Sequence, residues 1–231
     1  DLVAIPAAGF AGAYEEGGLI FLGRAYFSDQ VVEKEPRWAA EPALAPLAKV
    51  DLKAYRTWVV YHELAHGYWA GVVAGSPAAP WAVEGMAEWT MLYALEQLDG
   101  PAAANAALVR DERRFQVAMA RGEGDGPLRQ SYERLNNSRQ YSQLFYGKGA
   151  LFLDGLRRRG GDEAFIGGLR QVLTKYRGRV IPDDEPMQSI LDAAGNTPEL
   201  QAYVHRWLDE THASEDLGPL PESALQLLKT P

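Results

Sequence analysis

Apolar positions recur with a helical period along most of the chain that follows residue 51. A helix is predicted from the N-cap Asp51 to about Trp69. A second helix is predicted from about Trp81 to Leu98, and Asp99-Gly100-Pro101 is a strong terminator after it. Residues 102–121 show the same period. This part of the chain is therefore expected to consist of helices.

The first fifty residues follow a different pattern. The run from Leu19 to Phe27 is apolar and aromatic, which predicts a strand. The stretch from Ser28 to Val50 contains three prolines among mixed charges and alanines, so an irregular excursion is predicted there.

From about Gln143 onward the pattern is again helical and is interrupted where glycine and proline cluster. Breaks are predicted at Gly160-Gly161, at Gly178 to Pro186 and at Gly195 to Pro198. The last segment, Gly218 to Pro231, is predicted to be a tail or a short docked helix. The whole pattern indicates an α+β chain that is mostly helical.

The pentapeptide His62-Glu63-Leu64-Ala65-His66 lies inside the first predicted helix. Positions i and i+4 share one helix face, so His62 and His66 can bind a single metal ion. Glu63 stands beside them, where a carboxylate can take a proton from a metal-bound water. The alternative interpretation is a helix that carries two ordinary core or surface histidines.

A catalytic zinc site needs a third protein ligand and one position left for water. The second predicted helix offers Glu84 and Glu88, which are four residues apart on an otherwise apolar face. A carboxylate on such a face requires a cation or a hydrogen-bond donor as its partner. One glutamate can bind the metal while the other accepts the second N–H of a ligand histidine. The alternative interpretation is a pair of solvated glutamates.

Composition narrows the classes of function that remain. The 231 residues are 47% hydrophobic and 23% charged, as in ordinary globular proteins. A formal net charge of −8 makes the chain a poor candidate for nucleic-acid binding, because such proteins carry basic stripes. The absence of cysteine excludes disulfides, thiolate metal ligands and a cysteine nucleophile.

The sequence gives limited information on the cellular compartment of the protein. No run of about 18 apolar residues occurs, so a soluble chain without a membrane span is expected. The chain opens at Asp1 without methionine, which leaves both an exported mature protein and a cytoplasmic fragment open. The oligomeric state is equally open.

Two segments, WVVYHELAHGYWAGVV and PWAVEGMAEW, resemble the aminopeptidase N family of gluzincin metallopeptidases. In that family a HELAH-type helix is followed by a Trp-x-x-Glu-Gly helix whose glutamate binds zinc. The resemblance implies one Zn²⁺ ion bound by His62, His66 and Glu84. It leaves Glu88 to accept a hydrogen bond from a ligand histidine.

The resemblance extends over about residues 9–210 and implies a thermolysin-like catalytic domain. In such a domain a small N-terminal sheet is followed by a mostly helical part. We therefore expect a zinc-binding part at residues 1–155, a helical subdomain of the same catalytic unit at 156–212, and a C-terminal tail at 213–231.

The segment Tyr146-Gly147-Lys148-Gly149-Ala150 is similar to the Tyr-x-Lys-Gly-Ala segment of that family. The family's tyrosine donates a hydrogen bond to the oxyanion of the tetrahedral intermediate, a task that suits a neutral phenol. The resemblance therefore implies a catalytic role for Tyr146. The alternative interpretation is a core tyrosine at the start of a helix.

The segment from Gly12 to Ile20 resembles the family's Gly-x-Met-Glu-Asn segment with its trailing Gly-Leu-Ile. There the glutamate binds the free α-amine of the substrate and the backbone contacts the peptide. The resemblance implies that Glu15 binds the amine and that Gly12 and Ala13 contribute backbone contacts. The alternative interpretation of Glu15 is an exposed turn residue.

Together these residues predict zinc-dependent hydrolysis of peptide bonds with Glu63 as the general base. Binding of a free amine by Glu15 would make the protein an aminopeptidase, with a peptide as its substrate. Two other functions stay open, a zinc endopeptidase that needs no free amine and a non-catalytic peptide-binding module on a peptidase scaffold. The intact Glu63 argues against the module, because a structural metal site has no use for a base.

Overall fold

A computed structural model describes the protein over most of its length. The described residues are 2–5, 13–16, 19–23, 27, 31–33, 41–76, 79–122, 125–135 and 138–229. Helices dominate this part of the chain, as the sequence pattern predicts. None of the described helices combines the length and the apolar character that crossing a membrane would require.

The strands lie near the N terminus. Strand β3 (Leu19–Gly23) pairs in parallel with β1 (Leu2–Ile5) and antiparallel with β2 (Ala13–Glu16). Strand β4 (Val31–Glu33) pairs antiparallel with β5 (Lys49–Asp51). The structure thus describes a strand over the first five residues of the one predicted at 19–27, and residues 24–26 are outside the described part.

The stretch from 28 to 50, predicted to be irregular, contains more regular structure than its prolines suggested. It holds β4, most of β5 and the short helix α1 (Ala45–Ala48). Three-residue strands carry too few alternating positions to produce a visible pattern, which explains why they were not predicted. Residues 34–40 of this stretch lie outside the described part.

Helix α2 (Leu52–His66) begins at the predicted N-cap. The Asp51 carboxylate accepts hydrogen bonds from the backbone N–H groups of Lys53 at 2.9 Å and Ala54 at 3.2 Å. These bonds satisfy two of the donors that every helix start leaves open. At its other end α2 gives way to a π-helical turn, Gly67–Val72, so the regular helix ends earlier than the predicted Trp69.

Helix α3 (Trp81–Leu98) and helix α4 (Pro101–Ala120) lie where they were predicted. The turn between them contains Gly100 with φ +93°, a conformation that glycine adopts without strain. Proline directly after it starts α4, since the first residue of a helix needs no N–H partner.

The C-terminal half is helical with the predicted breaks. Gly161, Gly178 and Gly195 all have positive φ and separate successive helices. A second π-helical turn, Ser142–Lys148, follows α5. The helices are α5 (Ser138–Tyr141), α6 (Gly149–Gly160), α7 (Asp162–Lys175), α8 (Glu185–Ala193), α9 (Pro198–Asp209), α10 (Ala213–Asp216) and α11 (Glu222–Lys229).

Helix α3 forms the centre of the core. It packs against α2, α4, α6 and the second π-helical turn. A helix surrounded in this way must be apolar on nearly every face, which is why the exceptions Glu84 and Glu88 are informative. Its buried apolar side chains are Trp81, Ala82, Met86, Ala87, Trp89, Met91, Leu92 and Leu95.

Gly85 permits the close approach of α3 to the start of α6. A Cβ atom on Gly85 would lie 2.9 Å from the carbonyl oxygen of Phe145 and 3.2 Å from Cα of Gly149. No side chain fits this gap without moving backbone. Because Gly85 directly follows Glu84, the same contact fixes the position of that carboxylate.

We expect Gly85→Ala to lower the free energy of unfolding by about 1–3 kcal/mol, because overpacking outweighs the better helix propensity of alanine. Urea unfolding followed by circular dichroism measures the change. Gly167→Ala is the matched control, since a Cβ at Gly167 of α7 would meet nothing within 4 Å. That variant should be stabilised by up to about 1 kcal/mol. If Gly85→Ala were stabilised as much as Gly167→Ala, the close contact between Gly85 and the start of α6 would be contradicted.

Candidate metal centre and active site

Helices α2 and α3 bring three potential ligands to one point. His62 and His66 are on the last turns of α2, and Glu84 is on the first turn of α3. Oε2 of Glu84 lies 3.6 Å from Nε2 of His62 and 3.4 Å from Nε2 of His66. The structure thus gathers the three residues that the sequence proposed as metal ligands.

The spacing of these atoms fits a metal ion. Distances of 3.4 and 3.6 Å are too long for hydrogen bonds, and Oε2 of Glu84 has no hydrogen-bond partner among the described residues. Two ligand atoms each about 2.1 Å from a tetrahedral zinc ion lie about 3.4 Å apart. One ion between the three atoms therefore satisfies all of them, and the two-histidine, one-carboxylate set suits zinc.

The electrostatics of the cluster favour positive charge at this point. Burial lowers the pKa of His62, but the negative charges of Glu88 and Glu84 outweigh it and raise the pKa to about 10. Burial raises the pKa of Glu84, but contact with His62 and His66 outweighs it and leaves the pKa well below its usual range. Both pKa shifts arise because positive charge is stabilised between these side chains. The same electrostatic field would stabilise a bound divalent cation.

Glu88 lies behind His62, on the side away from Glu84. Its Oε2 is 2.6 Å from Nδ1 of His62, so the imidazole is in contact with a carboxylate on each side. Burial raises the pKa of Glu88, but the charge of His62 outweighs it and the pKa is lowered overall. Asp111 of α4 is buried beside Glu88, and burial followed by the charge of Glu88 raises its pKa well above the usual range.

Tyr141 is a site residue that the sequence did not single out. Its hydroxyl donates a hydrogen bond of 2.9 Å to Oε1 of Glu84, while Oε2 of the same carboxylate faces the two histidines. The only signal in the sequence is a tyrosine five residues before Tyr146, and such residues do not share a face in a regular helix. The π-helical turn that starts directly after Tyr141 brings the centroids of the two rings to 6.0 Å. No residue pattern predicted this turn.

Tyr146 and Glu63 are close to His62. The Tyr146 ring stacks on the His62 imidazole with centroids 5.2 Å apart. Both Tyr146 and Glu63 line a cavity of about 220 Å³ between α2, α3 and α4, which we call the inner cavity. Burial, followed by the charge of Glu84, raises the pKa of Tyr146, so its hydroxyl keeps its proton.

Lys148 fixes the segment that carries Tyr146. Its side chain is fully buried, and Nζ donates to Oδ1 of Asp125 at 2.9 Å and to the carbonyl of Gly126 at 2.6 Å. It also donates to the carbonyl of Glu210 at 3.3 Å. A buried ammonium that contacts one carboxylate and two carbonyls is already fully used, so Lys148 is a structural anchor rather than a substrate-binding residue.

The residues expected to bind the substrate amine are only partly described. Ala13 and Glu15 belong to strand β2, which lies against α2. The side chain of Glu15 and the whole of Gly12 lie outside the described residues. Their roles therefore remain predictions.

The chain belongs to peptidase family M1: the profile of the Peptidase family M1 domain matches residues 1–207. This result confirms the resemblance drawn from the sequence. The chain is 24% identical over 197 residues to Aminopeptidase 2 of Candida albicans, an alignment that covers 84% of this chain and 20% of the relative. It is 23% identical over 151 residues to the mitochondrial Aminopeptidase 2 of Saccharomyces cerevisiae, covering 64% of this chain and 16% of the relative. The chain thus spans a fifth or less of these relatives.

Solved structures share the fold. An M1 zinc metallopeptidase from Deinococcus radiodurans superimposes with a TM-score of 0.59 at 18% identity, covering 95% of this chain and 41% of that one. A mutant M1 zinc metallopeptidase from the same organism, bound to a Tyr-Ser-Ala substrate, gives a TM-score of 0.54 at 19% identity over 91% of this chain and 39% of that one. At this level of identity the likeness concerns the fold alone.

We expect Tyr141→Phe to weaken zinc binding about 10- to 100-fold, because Glu84 loses the hydrogen bond that orients it. Competition with a chromophoric chelator measures the affinity directly. Tyr132→Phe is the matched control, because the exposed Tyr132 packs edge-on against Tyr141 at 5.3 Å between centroids. An unchanged zinc affinity in folded Tyr141→Phe would contradict the orienting role.

Proposed function

We propose that this chain is the zinc-binding catalytic part of a metallopeptidase that removes N-terminal residues from peptides. The observation that carries the proposal is the meeting of His62, His66 and Glu84 at one point, with Glu63 and Tyr146 on the adjoining cavity. A metal centre with a base and a neutral donor beside it contains the groups that hydrolysis of an amide requires.

His62, His66 and Glu84 would hold one zinc ion, which when bound supplies Lewis-acid chemistry that polarises a carbonyl and acidifies water. Glu63 takes the proton from the attacking water and passes it to the leaving amine. The Tyr146 hydroxyl donates a hydrogen bond to the developing oxyanion, for which its retained proton suits it.

The groups around the ligands fix their orientation. Glu88 contacts Nδ1 of His62, which directs Nε2 of the same ring toward Glu84. The hydrogen bond from Tyr141 occupies Oε1 of Glu84 and leaves Oε2 for the metal. Each of these ligands is therefore constrained from its far side before any ion binds.

The exopeptidase part of the proposal rests on the N-terminal segment. Glu15 would bind the free amine of the substrate, with the backbone of Gly12 and Ala13 beside the peptide. Support comes from the position of β2 against α2, the helix that carries the two histidines, and from the aminopeptidase names of the relatives.

The domain plan belongs to the same proposal. We infer that β1, β2 and β3 are the small sheet of a thermolysin-like domain and that residues 1–155 form its zinc-binding part. Residues 156–212 would then form the helical subdomain of the catalytic unit. Residues 213–231 would be the C-terminal tail, where Leu220 and Ala224 pack on Leu44.

We expect Glu63→Gln to bind one zinc ion per chain. Its kcat should fall about 10²- to 10⁴-fold, because the glutamine amide cannot accept the proton of the attacking water. Metal analysis and a series of aminoacyl fluorogenic substrates, with and without chelator, measure both quantities. Glu163→Gln, at an exposed position of α7, is the matched control and should keep full activity. Full turnover by Glu63→Gln would rule out Glu63 as the general base.

Blocking the substrate separates the two kinds of peptidase. A peptide with an acetylated N terminus should be cleaved far more slowly than its free counterpart, because Glu15 needs an ammonium group as its partner. Equal rates would instead establish an endopeptidase. Tight zinc binding with no hydrolysis of any peptide would establish a binding module.

A further inference from the structure

The inner cavity contains two guanidinium groups that the proposed mechanism does not use. Arg110 and Arg114 lie four residues apart on α4, and both line the cavity together with Glu63. Like charges at this spacing share one face of the helix and repel each other. The cavity therefore places two positive charges next to the reacting groups.

Arg114 has an acidic partner. Its Nη1 lies 3.7 Å from Oδ1 of Asp111, and Asp111 is buried beside Glu88. Glu88 in turn contacts His62 at 2.6 Å. These two acids of the cavity are therefore directed toward Arg114 and the metal centre.

Arg110 has no such partner. Among the described residues no carboxylate lies within ion-pair distance of its guanidinium, although only 9% of the residue is exposed. Its Nη1 donates to the carbonyl of Pro46 at 3.1 Å, and its buried Nε has no hydrogen-bond partner among the described residues. The rings of Tyr55 and Trp58 lie 5.5 and 5.9 Å from the guanidinium carbon.

The charge of Asp111 acts on Arg110 from beyond ion-pair distance. A buried guanidinium without a carboxylate in contact is unfavourable, and aromatic faces compensate for the missing contact only in part. Burial, followed by repulsion from Arg114, lowers the pKa of Arg110. The lowered pKa shows that the surroundings of Arg110 disfavour its positive charge. An anionic group that enters the cavity and contacts Arg110 would reduce the cost of burying this charge. A guanidinium that makes no ion pair within the described part of the chain is also the side chain best suited to hold a carboxylate by two parallel hydrogen bonds.

The proposed reaction tells which part of a peptide enters this cavity. Glu63 passes a proton to the leaving amine, so the residue that carries this amine lies on the Glu63 side of the metal centre. The inner cavity is on that side, since Glu63 and Tyr146 line it. We propose that the inner cavity receives the residue on the leaving-amine side of the scissile bond and that Arg110 binds a carboxylate of that residue.

This inference rests on the proposed peptidase function and adds a substrate class to it. The carboxylate has two possible sources, the side chain of aspartate or glutamate at the second position of a peptide, or the C-terminal carboxylate of a dipeptide. Both present the same group at the same end of the leaving residue. The experiment distinguishes them.

Two matched pairs of substrates are compared on the zinc-loaded chain. Leu-Asp-amide against Leu-Asn-amide tests the side chain, and Leu-Ala against Leu-Ala-amide tests the C terminus. We expect kcat/KM to favour the carboxylate about tenfold or more in at least one pair, as a charge-assisted hydrogen bond in a buried site does. Cleavage of both pairs without a preference would overturn the inference and leave the proposed function intact.

Substitutions assign the preference to one side chain. Arg110→Met should remove it by lowering kcat/KM for the carboxylate substrates, with little effect on the neutral ones. Arg113→Met is the matched control, because Arg113 lies on the same helix but pairs with Glu112 and Gln116 outside the cavity. A preference that persists in folded Arg110→Met would overturn the inference.

A binding measurement keeps the test independent of turnover and of that variant's stability. Leu-Asp-amide and Leu-Asn-amide are titrated calorimetrically onto zinc-loaded Glu63→Gln. Tighter binding of the carboxylate peptide, by about tenfold or more, supports the inference even where no peptide is hydrolysed. Equal affinities would overturn it.

Discussion

Two imidazole nitrogens and one carboxylate oxygen, held close together on neighbouring helices in a largely buried position, set the main constraint on this structure. Their separations of 3.4 and 3.6 Å are too long for hydrogen bonding and match the edge of a tetrahedron around a small cation. Such an arrangement lasts only if α2 and α3 cannot move relative to each other. The apolar surface of α3 and its packing against several other helices supply that rigidity.

The close packing around α3 depends on glycine as much as on large side chains. Gly85 and Gly149 let α3 approach the start of α6 so closely that a Cβ atom on either would lie about 3 Å from backbone atoms of the other segment. The residue before Gly85 is a proposed ligand, and the residue before Gly149 is the buried anchor Lys148. Packing and chemistry are thus coupled at the same positions, and a change of one methyl group there would displace both.

Much of this site could be predicted from sequence because its geometry is local. Helical periodicity alone places His62 and His66 on one face, and the end of α3 followed from the terminator Asp99-Gly100-Pro101. Tyr141 could not be predicted, because its contact with Glu84 depends on a π-helical turn that carries no residue signature. The short strands of residues 31–33 and 49–51 were missed for a related reason, since three residues cannot display an alternating pattern.

Arg110 illustrates the information that only the folded arrangement supplies. In the sequence it is one of several basic residues on an amphipathic helix, and a solvated side chain is the ordinary expectation. The fold instead buries it in the cavity that the proposed base Glu63 also lines, while Asp111 contacts Arg114 and Glu88 contacts His62. A carboxylate that approached Glu63 alone would be repelled, but the guanidinium of Arg110 in the same cavity offsets this repulsion. Three carboxylates, those of Glu63, Glu88 and Asp111, also line the cavity, yet among the described residues none forms an ion pair with Arg110. The counter-charge that Arg110 lacks is therefore one that a substrate carboxylate can bring, and the proposed specificity depends on the same buried charges that surround His62.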